Sequence, residues 1–289
     1  MKKIGFIGVG VMGKSMVKNL IKNGFDVEIY TRTKSKVEDL IHEGIVFKNN
    51  IKECVKDKDV IITIVGYPTD VKEVYFSEDG IINNAKKGAI LIDMTTSSPD
   101  LAQTIYTIAK KHNLESLDAP VSGGDIGAKN GTLAIMVGGD QSTFTKAMPV
   151  FKAMGKNIIY QGKAGAGQHT KMANQIALAG AIAGVVEAIT YSKNAGLDTQ
   201  IMLDTISSGA AGSWQLSNNG PKMINDDMKP GFYVKHFIKD LNIAIDQAKD
   251  SNLSLEVLNT VTKMYESLNE DELGTQALIH YYQKKEKHN

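Results

Sequence analysis

Two stretches of this 289-residue chain combine residue types and spacings that can do chemistry. The first is Gly8-Val9-Gly10-Val11-Met12-Gly13, which reads G-x-G-x-x-G, follows the apolar residues 4–7 and opens a helical stretch over 14–23. In that setting the first glycine permits a tight turn and the second lets a pyrophosphate approach the backbone. The third lets helix and strand pack closely while the helix N-terminus faces the anion. The tip of the next strand then discriminates between dinucleotides: a carboxylate there accepts the ribose 2′-hydroxyl, whereas an arginine suits a 2′-phosphate. Here the tip reads Thr31-Arg32-Thr33, and Glu28 lies inside the strand rather than at its end. Arg32, with the hydroxyls of Thr31 and Thr33, offers a guanidinium fork to a phosphate. NADP is therefore expected, NAD remaining open, and an ordinary surface arginine is the alternative reading of Arg32.

The second stretch runs from Gly165 to Gln175, in which Lys171, Asn174 and Gln175 stand at i, i+3 and i+4 and share one helical face. Partial burial would bring the lysine down from its ordinary pKa of ~10.4 toward the range of acid and base catalysis. The competing reading is a lysine that extends its stem to solvent. His169 is read as a surface or capping residue rather than a proton carrier. Between these stretches, Asp118-Ala119-Pro120-Val121-Ser122-Gly123-Gly124 ends a strand in a glycine-rich loop. Its backbone N–H groups and the Ser122 hydroxyl can hold an anion such as a carboxylate, unless the loop is simply a tight turn.

These motifs need elements to position them. Residues 1–162 alternate short apolar runs (4–8, 27–30, 45–47, 60–65, 89–93, 117–121, 133–137 and 158–160) with amphipathic segments of helical period. Several runs are nearly continuous in Ile and Val, as strands covered on both faces should be, which predicts an α/β fold: a Rossmann-type, doubly wound, mostly parallel sheet. Residues 163–289 read as an all-helical domain for substrate and oligomer contacts, beginning with a proline-free run over 168–195. Its first helix is rich in Ala177, Ala179, Gly180, Ala181, Ala183 and Gly184. Such a helix is expected to be buried nearly all round, at a domain or subunit seam, and to stop at Asn194-Ala195-Gly196. Trp214 suits either a pocket wall or the core, and residues 284–288 read as a solvated, fraying end.

Composition removes several classes of function. Lys and Arg number 33 against 32 Asp and Glu, and a net charge of +1 leaves no footprint for nucleic acid or an anionic membrane. Hydrophobic residues at 42% and charged residues at 22% describe a soluble globular chain. Cys54 stands alone, so it is read as a buried thiol in a reducing cytoplasm, and no metal site is expected. Lys2-Lys3 before an apolar run imitates a signal peptide, but Gly5, Gly8 and Gly10 interrupt the run and no cleavage site follows. The longest apolar stretch, 176–186, is shorter than the ~20 residues of a membrane span and is closed by Glu187, so none is expected.

Taken together, residues 5–13, residues 118–124, the pattern Gly165-x-Gly167-x-x-x-Lys171-x-x-Asn174 and Lys239-Asp240-Leu241 resemble the β-hydroxyacid dehydrogenases. That family includes 3-hydroxyisobutyrate dehydrogenase, tartronate semialdehyde reductase and glyoxylate/succinic semialdehyde reductase. The resemblance runs through nearly the whole chain. It implies that Lys171 is the catalytic acid/base, that Ser122, Gly123 and Gly124 hold a substrate carboxylate, and that Asn174 helps orient it, with Gln175 beside it. It implies further that Val65, Gly66 and Thr96 line the cofactor, that Lys239 reaches toward the nicotinamide ribose, and that the active site is an interdomain cleft. The reaction implied is reversible hydride transfer between NAD(P) and a short β-hydroxy acid or semialdehyde, in a homodimer or homotetramer. Two departures bear on the substrate: Gln175 where many members have asparagine, and Gly66 where many have proline. A 6-phosphogluconate dehydrogenase-like activity, an imine reductase and a non-catalytic NADP sensor are the competing readings.

Overall fold

The Ile- and Val-rich runs form nine strands in the computed structural model, which describes residues 1–286. They are β1 (Lys3–Ile7), β2 (Asp26–Tyr30), β3 (Val46–Phe47), β4 (Val60–Thr63), β5 (Ile90–Asp93), β6 (Glu115–Asp118), β7 (Val121–Ser122), β8 (Leu133–Gly139) and β9 (Gly155–Gly162). The first six lie in the order β3-β2-β1-β4-β5-β6 and are all parallel. Strand order therefore reverses between β1 and β4, and in open α/β sheets ligands bind at the carboxyl ends of the strands beside such a reversal. Alternation along each strand feeds two cores. Val60, Ile62, Ile90 and Ile92 join one apolar cluster, and Ile61 and Leu91 join another on the opposite face. Burial on both faces is why these segments contain so few polar residues.

One expected strand is two. The run 117–121 is divided into β6 and β7, which pair in succession, antiparallel, with the long strand β8. Pro120 lies at the break and has no N–H to give a ladder. β9 then pairs parallel to β8, so the far edge of the sheet is mixed.

By its internal contacts the chain divides into two compact units, the first ending at Lys171 and the second beginning at Met172. The start of the helix Ala166–Asn194 belongs to the first unit because it lies against the sheet: a Cβ on Gly167 would sit 2.4 Å from Met136 O. The second unit is helical. Met172, Ala179, Ile182, Val186 and Ile189 project from the long helix at spacings of three, four and seven and join Phe237, Leu241, Leu258 and Tyr265 in its core.

Within the single chain these residues form one buried stripe, and the opposite side of the helix, including Ala173, Ala177, Gly184 and Tyr191, is exposed. By length and composition this helix is also apolar enough to cross a membrane, counter to the expectation of no such segment. The expectation weighed residues 176–186 alone; the helix is longer, and its buried stripe is that of a core helix. Trp214 is exposed rather than core-filling. The predicted frayed tail is helical through Glu286, with Lys284 paired to Glu270 at 3.1 Å; Lys287 and His288 lie outside the described residues.

Candidate active site

Each glycine of the first motif meets the demand its position makes. Gly8 has φ +95°, and a Cβ there would lie 2.1 Å from Ile64 O, so neither backbone nor space admits another residue. A Cβ on Gly13 would lie 2.4 Å from Gly8 O, the close helix-to-strand approach that the third glycine allows. Around Gly10 no atom comes within 4 Å of the Cβ position. Gly10 also caps the helix Val11–Lys22 without a side chain, and no acidic residue stands in the first turn. Open space over unpaired helix N–H groups, free of negative charge, fits a pyrophosphate. Val9 is buried behind the turn, Met12 is half-buried and Val11 is exposed.

At the tip of β2, Thr31 is half-buried, while Arg32 and Thr33 are exposed. The Arg32 guanidinium is already engaged, 3.0 Å from Asp70 Oδ1. Glu28 stays inside β2, where Lys58 at 2.5 Å and Lys48 at 3.3 Å neutralise it. Burial raises its pKa, but hydrogen bonds from the two ammonium groups win and hold it below the ordinary carboxylate range. Cys54, beneath the same sheet, is buried and its thiol is pushed up to about 12, chiefly by burial.

The loops that follow β4 and β5 are tied together. The Val65 N–H donates to Thr95 Oγ1 at 3.0 Å, and the Thr95 N–H donates to Asp93 Oδ1 at 3.1 Å. Thr63 Oγ1 donates to the same oxygen at 2.8 Å. Gly66 and Thr96 are half-buried beside these groups in sequence. Burial, above all, pushes the Asp93 carboxyl up to about 6, whereas an unfolded aspartate ionises near ~3.9. Because the folded value is the higher, the native state binds the extra proton between these values. The contribution to stability is fully present below pH ~4 and is lost as pH rises to about 6. Asp93→Asn keeps an acceptor for Thr63 and Thr95 and removes the ionisation. Its stability relative to wild type, followed by melting temperature, should rise from pH 4 to 7 and then level, a total change of roughly 3 kcal/mol in unfolding free energy. A difference that did not vary with pH would show that Asp93 does not titrate in the fold.

The lysine-bearing helix is anchored at its start by a buried carboxylate. Asp118, at the end of β6, accepts the Gly165 N–H at 2.8 Å on one oxygen and the Gln168 N–H at 2.9 Å on the other. The Gln168 side chain then donates to Thr95 O at 2.8 Å and accepts the Ser97 N–H at 3.0 Å, fixing the helix to the loop after β5. One turn on, Lys171 is buried and its Nζ donates to Val121 O at 2.9 Å. That carbonyl belongs to the residue immediately before Ser122-Gly123-Gly124, so the structure brings the lysine and this glycine-rich loop together. Gly123 and Gly124 both have positive φ, +128° and +62°, which the turn out of β7 requires. His169 is exposed, as a surface residue.

Asn174, Gln175 and Lys239 lie in the second unit and form one chain of contacts there. Asn174 Nδ2 donates to Gln175 Oε1 at 2.7 Å, and Gln175 Nε2 donates to Asp240 Oδ2 at 2.6 Å. Lys239 Nζ pairs with Asp240 Oδ1 at 2.7 Å. Gln175 thus uses its extra methylene to reach a buried aspartate. Asp240 was visible beside Lys239 in the sequence but was not read as a site residue. Asp70 and Gln168 were not singled out, because the partners that tie them to this region, Arg32 for Asp70 and Thr95 and Ser97 for Gln168, are distant in sequence.

A doubly wound sheet with an open glycine turn, followed by a helical unit, defines an oxidoreductase that binds a nicotinamide dinucleotide. The family model for the NAD-binding domain of 6-phosphogluconate dehydrogenase matches residues 3–162. The model for the NAD-binding region of NADP-dependent 3-hydroxyisobutyrate dehydrogenase matches residues 165–282. The uncharacterized oxidoreductase YkwC of Bacillus subtilis is 54% identical over 280 residues, covering 96% of this chain and 97% of that protein. A probable 3-hydroxyisobutyrate dehydrogenase-like mitochondrial protein of Arabidopsis thaliana is 44% identical over 96% of this chain and 84% of its own length. The solved structure of Mycobacterium tuberculosis 3-hydroxyisobutyrate dehydrogenase with L-serine superposes with a TM-score of 0.89 at 32% identity, covering 98% of this chain and 99% of that one. The chain belongs to the β-hydroxyacid dehydrogenase family, that of 3-hydroxyisobutyrate dehydrogenase.

Proposed function

We propose that this dehydrogenase interconverts a short 3-hydroxy acid and the corresponding semialdehyde, with NADP as its preferred cofactor and Lys171 as the acid/base. The observation that carries the reading is the buried Lys171 side chain, its Nζ held 2.9 Å from Val121 O, next to the Ser122-Gly123-Gly124 loop. Bound dinucleotide supplies the hydride exchange. Lys171 as an ammonium gives its proton to the oxygen of a carbonyl being reduced, and as a neutral amine it takes the proton back from an alcohol being oxidised. Ser122 Oγ and the Gly123-Gly124 backbone bind the substrate carboxylate, which fixes the neighbouring carbon relative to Nζ, a proximity effect. Asn174 and Lys239 keep the roles the family resemblance implies. The L-serine held by the Mycobacterium tuberculosis relative is itself a 3-hydroxy acid and supports this substrate class.

The test is NADPH consumption with glyoxylate, succinic semialdehyde, methylmalonate semialdehyde and tartronate semialdehyde, repeated with NADH. Turnover of methylmalonate or tartronate semialdehyde, whose products are 3-hydroxy acids, is expected, faster with NADPH; turnover of glyoxylate or succinic semialdehyde alone, which gives a 2- or 4-hydroxy acid, would change the substrate class. Tight dinucleotide binding without turnover of any would remove the enzymatic assignment, and carbon dioxide release from 6-phosphogluconate would replace it with a decarboxylating one.

A further inference from the structure

The Arg32–Asp70 ion pair sits where cofactor choice is made. Sheet order places β1 between β2 and β4, and β1 ends in the open glycine turn. Arg32 follows β2, and Asp70 lies in the helix Pro68–Phe76 that follows β4, so their contact bridges the two strand tips across the end of β1. The two partners are not equally free. The Arg32 side chain is 72% exposed and that of Asp70 only 14%. Asp70 is pinned besides, its Oδ2 accepting the Tyr67 N–H at 3.0 Å in the first turn of its helix, where a negative charge is favoured. The carboxylate is thus the fixed member, and the arginine has come to it.

Gly66 belongs to the same arrangement. A Cβ there would lie 3.1 Å from Asp70 Oδ2, tighter than ordinary van der Waals contact. A side chain in place of Gly66 would crowd the position Asp70 needs, so the glycine leaves room for this carboxylate.

From this geometry we propose that Asp70 is a specificity-determining residue that opposes the 2′-phosphate of NADP and so keeps the enzyme able to use NAD. The carboxylate that NAD-selective sheets place at the tip of β2 is absent there; Asp70 supplies a negative charge beside Arg32 from the first turn of the helix Pro68–Phe76. It acts in two ways. It occupies one side of the guanidinium that a 2′-phosphate would engage bidentately, and it repels the phosphate directly. A ribose 2′-hydroxyl meets neither obstacle and can donate to the carboxylate.

This inference rests on the assignment of Arg32 to the 2′-phosphate, and the experiment separates the two. Dissociation constants for NADP⁺ and NAD⁺ are measured by isothermal titration calorimetry on wild type, Asp70→Asn, Arg32→Ala and the double variant. The amide introduced by Asp70→Asn retains an oxygen for the Tyr67 N–H, so the helix start is preserved; matching circular dichroism and melting temperature verify it. Asp70→Asn should raise the preference for NADP⁺ over NAD⁺ by about tenfold, which is about 1.4 kcal/mol. Arg32→Ala should lower it. A ratio unmoved by Arg32→Ala overturns the Arg32 assignment. A ratio lowered by Arg32→Ala but unchanged or lowered by Asp70→Asn overturns the role of Asp70 alone, a fall meaning that Asp70 merely aims the arginine.

Discussion

Lys171→Ala is expected to cut turnover by ~10²- to 10⁴-fold, the contribution typical of a positioned acid or base, while leaving the dissociation constant of the dinucleotide within about twofold. The side chain lies on the helix Ala166–Asn194, whereas the glycine turn proposed to receive the pyrophosphate follows β1, so removing the amine should spare dinucleotide binding. Folding should survive, since Asp118 and Gln168 still hold the helix start once the hydrogen bond from Lys171 to Val121 O is lost. The measurement is steady-state kinetics on a substrate found in the aldehyde-acid screen, with cofactor affinity from calorimetry. Turnover above about a tenth of wild type with normal cofactor binding would end the acid/base assignment.

The second large effect is expected at Asp118. Both of its oxygens accept backbone N–H groups, of Gly165 and Gln168, in a site closed on other sides by Gly138 and Gly167. The fit is close enough that a Cβ on Gly138 would lie 2.5 Å from Asp118 Oδ1, so the carboxylate cannot swing to a new partner. Asp118→Asn keeps one acceptor and turns an amide donor toward the other N–H. Losing a charge-assisted hydrogen bond and opposing two buried donors costs about 2–3 kcal/mol. A melting temperature lower by about 5 °C or more follows. Lys171 stands one turn beyond Gln168, so loosening this anchor should also lower kcat by tenfold or more, with KM for the dinucleotide unchanged. Normal kcat well below the new melting temperature would show that Asp118 holds the fold together but does not position the lysine.

Much of this was legible in the sequence because it is local. The G-x-G-x-x-G turn depends on backbone geometry over six residues, and the structure shows a tight turn at Gly8, open space at Gly10 and close packing at Gly13. The doubly wound class was legible from buried Ile and Val runs whose alternate residues feed two cores. Lys171, Asn174 and Gln175 were legible as one helical face because spacing fixes neighbours along a helix.

Tertiary structure decided what no local pattern records. Whether Lys171 faces water or the Ser122 loop depends on β7 lying where the helix begins, a contact between residues fifty positions apart. Whether Arg32 stands free or is held by Asp70 depends on β1 separating β2 from β4. Side-chain periodicity specifies which face of an element is buried. It does not specify which element lies opposite, since that is set by strand order and crossover geometry over the whole sheet. The candidate residue types could therefore be read from motif and spacing, while their partners came from the fold.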